Sequence, residues 1–313
     1  MPDKYFDDAM SSMNKAARTA LAKETINHTV PAVLSSNPQA KKGAESSQLF
    51  RGYTDLPKLN QTLSRDHGED NVGTNRPLSP LLIHLVQSDT LDAAQKLRVE
   101  HPKAKIAVLN MASPLQPGGG VLRGAKAQEE SLCMRSTLYP SLRPEWYRHP
   151  SDAVIYSPDV LVFRSSPRLG MEMLDAKDRF YINVISCAAP RLPETTEVTN
   201  GKSEKEIRYA DAKDEELMSL KIKFIMRTAA KMGITHLVLG ALGCGAYRNP
   251  IGQVANIMRK CLVGKGDDRP PEENWTGAGL QQVVFAILDD SRQKLVWQTF
   301  VSEFQAHAQI TVD

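Results

Sequence analysis

Residues 105–132 read KIAVLNMASPLQPGGGVLRGAKAQEESL. Three textures follow one another in this stretch. The apolar run 105–112 predicts a buried strand. Gly118, Gly119 and Gly120 then stand in succession. Consecutive glycines lose more backbone entropy on folding than a plain connector needs to lose, and what they provide in return is close approach of backbone N–H groups to another group. A helix is predicted next, over about 127–139, with Gln128, Glu129 and Glu130 in its first turn, where the helix dipole favours acids. Either half alone fits a flexible loop or an ordinary acidic turn. Placed between a strand end and a helix start, the two halves predict a site.

Outward from this stretch the chain alternates strands and helices. LLIHLVQ (81–87) predicts a buried strand, and 89–100 a helix capped by Asp89. Residues 153–166 suggest a hairpin with Ser157, Pro158 and Asp159 at its turn. FYINVISCAAP (180–190) is another strand. Residues 214–233 form the clearest helix, with Leu217, Leu220, Phe224 and Thr228 at helical spacing and Gly233 as its stop. THLVLGALGCG (235–245) is a strand that runs into glycines. The next helix, 250–262, has Asn249 at its cap and Pro250 at its first position. A strand at 282–290 and a helix near 291–306 end the series. Apolar strands alternating with helices imply a mostly parallel sheet covered on both faces, with ligands bound beyond the carboxyl ends of the strands. Residues 8–27 read as a helix. Residues 34–79 are polar and read as extended or partly irregular, pinned by Leu49, Phe50 and Tyr53, and 194–213 and 264–281 read as surface insertions.

Composition limits what the chain does. With 39 basic and 36 acidic residues the net charge is +3, too balanced for a protein that coats nucleic acid. No run approaches the roughly 18 apolar residues of a spanning helix. The start, MPDKYFDDAM, lacks a signal-peptide pattern, so the expectation is an intracellular protein, cytoplasmic or nuclear. The four cysteines (133, 187, 244, 261) and seven scattered histidines show no metal-ligand or disulfide spacing, so neither a metal nor a cofactor is expected.

A second glycine loop, GALGCGAYRNP (240–250), leads from a strand into a helix. The free N–H groups of Gly243, Cys244, Gly245 and Ala246 and the positive helix end behind them suit a phosphate, and Tyr247 suits stacking on a sugar or base. It lacks both the Walker ending and the dinucleotide-loop spacing. Asp89 after the first strand has two readings, acceptor for an exocyclic amine or plain helix cap, and spacing favours the cap.

These pieces resemble a known family. PGGGVLRGAKAQEE (117–130) is similar to the Gly-Gly-Gly-x7-Gln-Glu-Glu signature of poly(ADP-ribose) glycohydrolases, and 240–250 to the diphosphate loop of the same macrodomain proteins. Ser88-Asp89-Thr90-Leu91 resembles their Gly-Asp-Ile-Thr adenine site. The microbial type is the nearest in form, over about 80–306 with a weaker likeness at 14–30. The resemblance implies a three-layer α/β/α macrodomain-like fold at 80–313, with a mixed, mostly parallel sheet, behind an N-terminal helical extension at 1–79. It implies hydrolysis of ribose–ribose O-glycosidic bonds that releases ADP-ribose, mainly from chain ends. Glu130 would be the catalytic acid and Glu129 would hold ribose hydroxyls. Asn110 would orient the ribose. Gly118 to Gly120, Val121 and Gln128 would approach the distal ribose and phosphates, and Gly243 to Tyr247 with Asn249 would wrap the diphosphate. The partners implied are poly(ADP-ribose), ADP-ribose and ADP-ribosylated proteins, with no direct nucleic acid or membrane contact and a monomeric state. The alternatives are an ADP-ribose-binding module without chemistry and a mono-ADP-ribosyl hydrolase. The paired acids favour the polymer hydrolase.

Adjacent helical residues point about 100° apart, so Glu129 and Glu130 cannot flank one bond as a usual glycosidase pair does. One should position while the other moves the proton. A helix N-terminus favours an ionised carboxylate whereas a general acid must carry a proton, so the expectation is that Glu130 gains its proton when the anionic substrate binds.

Overall fold

The computed structural model describes residues 13–59, 80–148, 150–199, 205–264, 269–289, 291–306 and 310–313. In chain order the strands are β1 (Gln48–Arg51), β2 (Leu82–Val86), β3 (Ile106–Met111), β4 (Ala153–Val162), β5 (Phe180–Cys187), β6 (Thr195–Thr199), β7 (Lys205–Tyr209), β8 (His236–Leu239), β9 (Gln282–Ala286) and β10 (Ile310–Val312). The helices are α1 (Lys15–Glu24), α2 (Val30–Ser36), α3 (Pro38–Glu45), the single turn α4 (Gly52–Asp55), α5 (Thr90–Glu100), α6 (Gln128–Arg135), α7 (Ala212–Lys231), α8 (Ile251–Val263) and α9 (Leu295–Gln305). Residues 25–29 join α1 to α2 as a π-helical turn.

Eight strands form one mixed sheet in the order β1-β4-β5-β3-β8-β9-β2-β10. The pairings from β5 to β10 are parallel, and β4 runs antiparallel to both β1 and β5. Its central strands β3, β8 and β9 are buried on both faces, as parallel sheets require. Side chains alternate between the two sides with the strand period of two. Ala107 and Leu109 of β3, Leu237 and Leu239 of β8 and Val283 and Phe285 of β9 join the core under α7, α8 and α9. Val108, Val238 and Val284, one residue out of phase, join the core under α5 and α6. The three-layer architecture expected from the alternation is the one found.

Several local expectations are corrected. The proposed hairpin at 153–166 is a single strand, β4, carrying a bulge between Ser157 and Val160 in its pairing with β5. Asp159 takes φ 48° there, and Gln39 of α3 donates to its carboxylate at 2.8 Å. The stretch 34–59 is not irregular: it contains the last three residues of α2 and all of α3, β1 and α4, with Phe50 buried in the core while Tyr53 stays exposed. The rest of that stretch, 60–79, and the start of the first predicted helix, 8–12, lie outside the described residues. The helix expected at 127–139 ends at Arg135. In α7 the deepest line is Met218, Ile222, Ile225 and Ala229 with Phe224 and Thr228, while Leu217 and Leu220 are half-buried. Asn249 does not cap α8.

The two presumed insertions also change character. Described residues of 194–213 form the β6–β7 hairpin. The segment after α8 brings Glu273 and Trp275 into the interior. Arg227 of α7 donates to both carboxylate oxygens of Glu273 at 2.9–3.1 Å and to the carbonyl of Leu56. Glu273 also accepts from the N–H of Leu59 at 2.9 Å. One buried ion pair thus ties the segment at Leu56 and Leu59 to α7 and to the segment after α8. Removing one partner of such a pair leaves an uncompensated buried charge. Arg227→Met is expected to lower unfolding free energy by about 3 kcal/mol or more in urea titrations.

Candidate active site

The carboxyl ends of β3 and β8 open onto a cavity of about 760 Å³. One wall is the loop that follows β3 together with the start of α6, and the facing wall is the loop that follows β8. A third side is mostly apolar, with Ile287, Leu288 and Val296 beside Asp289.

Gln128 fixes where α6 begins. Its side-chain oxygen accepts from the N–H of Met111 at 2.9 Å, and its amide nitrogen donates to the carbonyl of Leu109 at 2.6 Å. The helix is thereby clipped to the end of β3, and the next two residues are carried into the gap. Glu129 and Glu130 are only 3% and 5% exposed. Glu129 Oε2 accepts from the N–H of Ser113 at 2.7 Å, and its other oxygen lies 3.4 Å from Asn110 Nδ2. Glu130 Oε1 accepts from the N–H of Gly120 at 2.7 Å. Its Oε2 is buried with no hydrogen-bond partner among the described residues.

The glycines are what let the acids fit. At Gly119, φ is 58°, and a Cβ there would lie 2.7 Å from Glu130 Oε1 and 2.8 Å from Glu129 Oε2. Any side chain would collide with both carboxylates and would also strain the backbone. Gly118 also has positive φ, and a Cβ on it would press on the ring of Tyr139.

In the facing loop Gly243 has φ 75°. The N–H groups of Gly243, Gly245, Ala246 and Tyr247 meet no acceptor among the described residues, and the space above Gly245 is open. This is bare donor backbone aimed at no protein group, which suits an anion. The Cys244 thiol is pushed up to about 12 by burial, so it is an inert part of the wall. The Tyr247 hydroxyl meets the Ser113 side chain, so the two loops touch across the cavity.

The expected site residues divide. Gly119, Gly120, Gln128, Glu129, Glu130 and the run from Gly243 to Tyr247 line the cavity. Gly118, Val121, Asn110 and Asn249 do not; they support it from behind. Asn110 is fully buried and donates to Ser186 Oγ at 3.0 Å as well as toward Glu129. Asp89 stands apart. Its Oδ1 accepts from the N–H groups of Leu91 and Asp92 and pairs with Arg135 at 2.5 Å, so it is a helix cap and a salt-bridge partner. Sequence reasoning missed Ser113, Gln116, Arg191 and Leu288, all of which line the cavity. Ser113 acts on Glu129 through its backbone N–H, which no side-chain pattern announces. Among the described residues no three His, Cys, Asp or Glu side chains converge as a metal site, and no helix is long and apolar enough to cross a membrane.

Burial pushes the Glu129 carboxyl up from 4.5 to about 8, against the Ser113 and Asn110 donors that favour its charged form. The folded protein therefore binds this proton more tightly than the unfolded chain does. The stabilisation is complete below about pH 4.5 and is lost as pH rises through about 8. Glu129→Gln should remove this dependence. Its stability relative to the wild type is expected to rise with pH between 5 and 8 in urea titrations; a constant difference would contradict the shift.

Residues 13–165 match the family model for the catalytic domain of microbial-type PARG, the poly(ADP-ribose) glycohydrolases. The crystal structure of poly(ADP-ribose) glycohydrolase from Thermomonospora curvata superposes with a TM-score of 0.69 at 26% identity, covering 92% of this chain and 100% of that one. The Deinococcus radiodurans enzyme, solved in complex with ADP-ribose, gives a TM-score of 0.64 at 28% identity, covering 86% of this chain and 98% of that one. No curated protein matches the sequence. The family model and the two structures point the same way: in sequence and in fold the chain is similar to the microbial-type poly(ADP-ribose) glycohydrolases.

Proposed function

We propose that this protein hydrolyses the ribose–ribose O-glycosidic bonds of poly(ADP-ribose) and releases ADP-ribose, mainly from chain ends, without a metal. The observation that carries the reading is Glu130: a buried carboxyl lining the cavity, with one oxygen held by the Gly120 N–H and the other without a partner among the described residues. That free oxygen is the group available to a substrate.

The chemistry follows from the geometry. The substrate's diphosphate takes the unpaired N–H groups of the loop from Gly243 to Tyr247. Adenine, uncharged and flat, rests on the apolar side formed by Ile287, Leu288 and Val296, since Asp89 is committed to Arg135. The terminal ribose then lies over Gly119 and Gly120, where absence of side chains allows contact with both acids. Glu130 donates its proton to the leaving sugar oxygen as the glycosidic C–O bond breaks through an oxocarbenium-like state. Water adds to the anomeric carbon, and the Glu130 carboxylate accepts the water's proton, which restores the starting state. Glu129, protonated in neutral solution, holds ribose hydroxyls without adding charge beside the diphosphate. ADP-ribosylated proteins carrying such chains are the wider substrate class, and the division into an extension at 1–79 and a catalytic unit at 80–313 belongs to the same proposal.

Glu130→Gln keeps the shape of the side chain and removes the transferable proton. It is expected to reduce kcat on poly(ADP-ribose) by about 100- to 10 000-fold, with ADP-ribose affinity retained, when products are resolved by chromatography and binding is read by calorimetry. Undiminished turnover would remove Glu130 from its role. Gly119→Ala, which places a methyl group against both acids, should abolish turnover. Treatment with EDTA should leave the wild-type rate unchanged; a loss restored by a divalent cation would overturn the metal-free mechanism. The rate should also fall as pH rises through about 8, where Glu129 loses its proton and adds a second charge beside the phosphates.

A further inference from the structure

The shape of the loop after β8 depends on one amide that never reaches the cavity. Asn249 is 3% exposed. Its Nδ2 donates to the carbonyls of Pro190 at 2.8 Å, Gly243 at 3.1 Å and Tyr247 at 3.4 Å. Its backbone N–H returns to the Gly243 carbonyl at 3.0 Å. These bonds draw carbonyls of the loop inward, while the N–H groups of Gly243, Gly245, Ala246 and Tyr247 stay unpaired. The fit has no slack, because a Cβ on Gly243 would lie 2.5 Å from Asn249 Nδ2.

An asparagine amide presents a donor on one side and an acceptor on the other, so its function depends on which way it faces. Here the carbonyls hold the donor side, and a hydroxyl from outside the loop holds the acceptor side. The Tyr209 hydroxyl donates to Asn249 Oδ1 at 2.9 Å. Tyr209 is the last residue of β7 and is 6% exposed. It is itself anchored: its N–H donates to Gln253 Oε1 of α8, and Gln253 Nε2 donates to Glu215 of α7 at 3.0 Å. The Ala210 N–H closes the base of the β6–β7 hairpin on the Glu194 carbonyl. A hairpin that reads as a surface insertion thus places one hydroxyl beneath the anion-binding loop.

We infer that Tyr209 is a positioning residue for the substrate's diphosphate: its hydroxyl fixes the Asn249 amide, and Asn249 fixes the loop from Gly243 to Tyr247. The inference rests on the proposed nucleotide reading of that loop. Tyr209 touches neither substrate nor the acids, so its loss should fall on binding. With the hydroxyl gone, Asn249 Oδ1 is left buried without a donor, and the amide is held from its donor side alone. Because Glu130 is held by the other loop, the proton-transfer step is spared.

The test compares the full-length wild type with Tyr209→Phe, Asn249→Ala and the double variant. ADP-ribose binding is measured by calorimetry, steady-state kinetics on poly(ADP-ribose), and unfolding midpoints by heating. Tyr209→Phe is expected to weaken ADP-ribose binding by about tenfold, equivalent to about 1.4 kcal/mol, and to raise KM by a similar factor with kcat within about twofold. The double variant should bind no more weakly than Asn249→Ala alone, because both changes act through the same amide. Unchanged affinity and KM in Tyr209→Phe, beside a wild type that binds ADP-ribose, would overturn the inference and leave the nucleotide reading standing. Additive losses in the double variant would overturn it as well, as would equal losses in kcat and affinity that track a lowered unfolding midpoint. A wild type that fails to bind ADP-ribose would overturn the reading beneath it.

Discussion

Two adjacent carboxyl groups are buried at one helix start, and the rest of the site is arranged so that they can be. Burying an acid without compensation is costly, and burying two side by side is worse. The compensation here is backbone: Ser113 N–H for Glu129 and Gly120 N–H for Glu130. Backbone donors approach this closely only where no side chain intervenes, which is why the loop is glycine at 118–120. The Gln128 clip to β3 then sets the helix start to the residue. If α6 began one residue later, the acids would turn by about 100° and lose both donors.

Much of this was readable before any coordinates, because the chemistry is contiguous in sequence. Strand end, glycine run and acid pair lie within residues 105–132, and the sheet strands announce themselves as apolar runs. What escaped depends on distant residues. Ser157, Pro158 and Asp159 carry turn chemistry, and the local signal is a real one. It produces a bulge instead of a hairpin turn because Gly43 and Gln39 of α3 pack on it from 120 residues away; a Cβ on Gly43 would lie 2.5 Å from the Pro158 carbonyl. The helices at 30–45 escaped because each is short, and tertiary packing of Val30, Val33 and Ala40 against Leu161 and Phe163 holds them where intrinsic propensity would not. Tyr209, and the way Asn249 acts from behind the loop, escaped for a related reason. Asparagine before proline reads as a helix cap, and a tyrosine ending a polar hairpin reads as surface. Only the 2.9 Å bond between residues 40 positions apart gives either its role.

The acid pair also weighs two opposing effects. A helix N-terminus stabilises a carboxylate by about 0.3–1 kcal/mol, or about 2 kcal/mol in favourable partly buried cases. From that alone, acids in the first turn of α6 should be ionised throughout the neutral range. A rise from 4.5 to about 8 at Glu129 corresponds to about 5 kcal/mol in the other direction. Burial therefore exceeds the dipole at this helix start even after the Ser113 and Asn110 donors are counted. The consequence reaches the substrate. A cavity that must accept a diphosphate next to two carboxyl groups would repel it if both were charged. Holding a proton on Glu129 in the free protein lowers that repulsion before binding begins. The expectation that Glu130 gains its proton with substrate is a separate matter; what burial supplies is a proton on its neighbour Glu129 in the free protein, retained by the same burial that the bare glycine backbone makes possible.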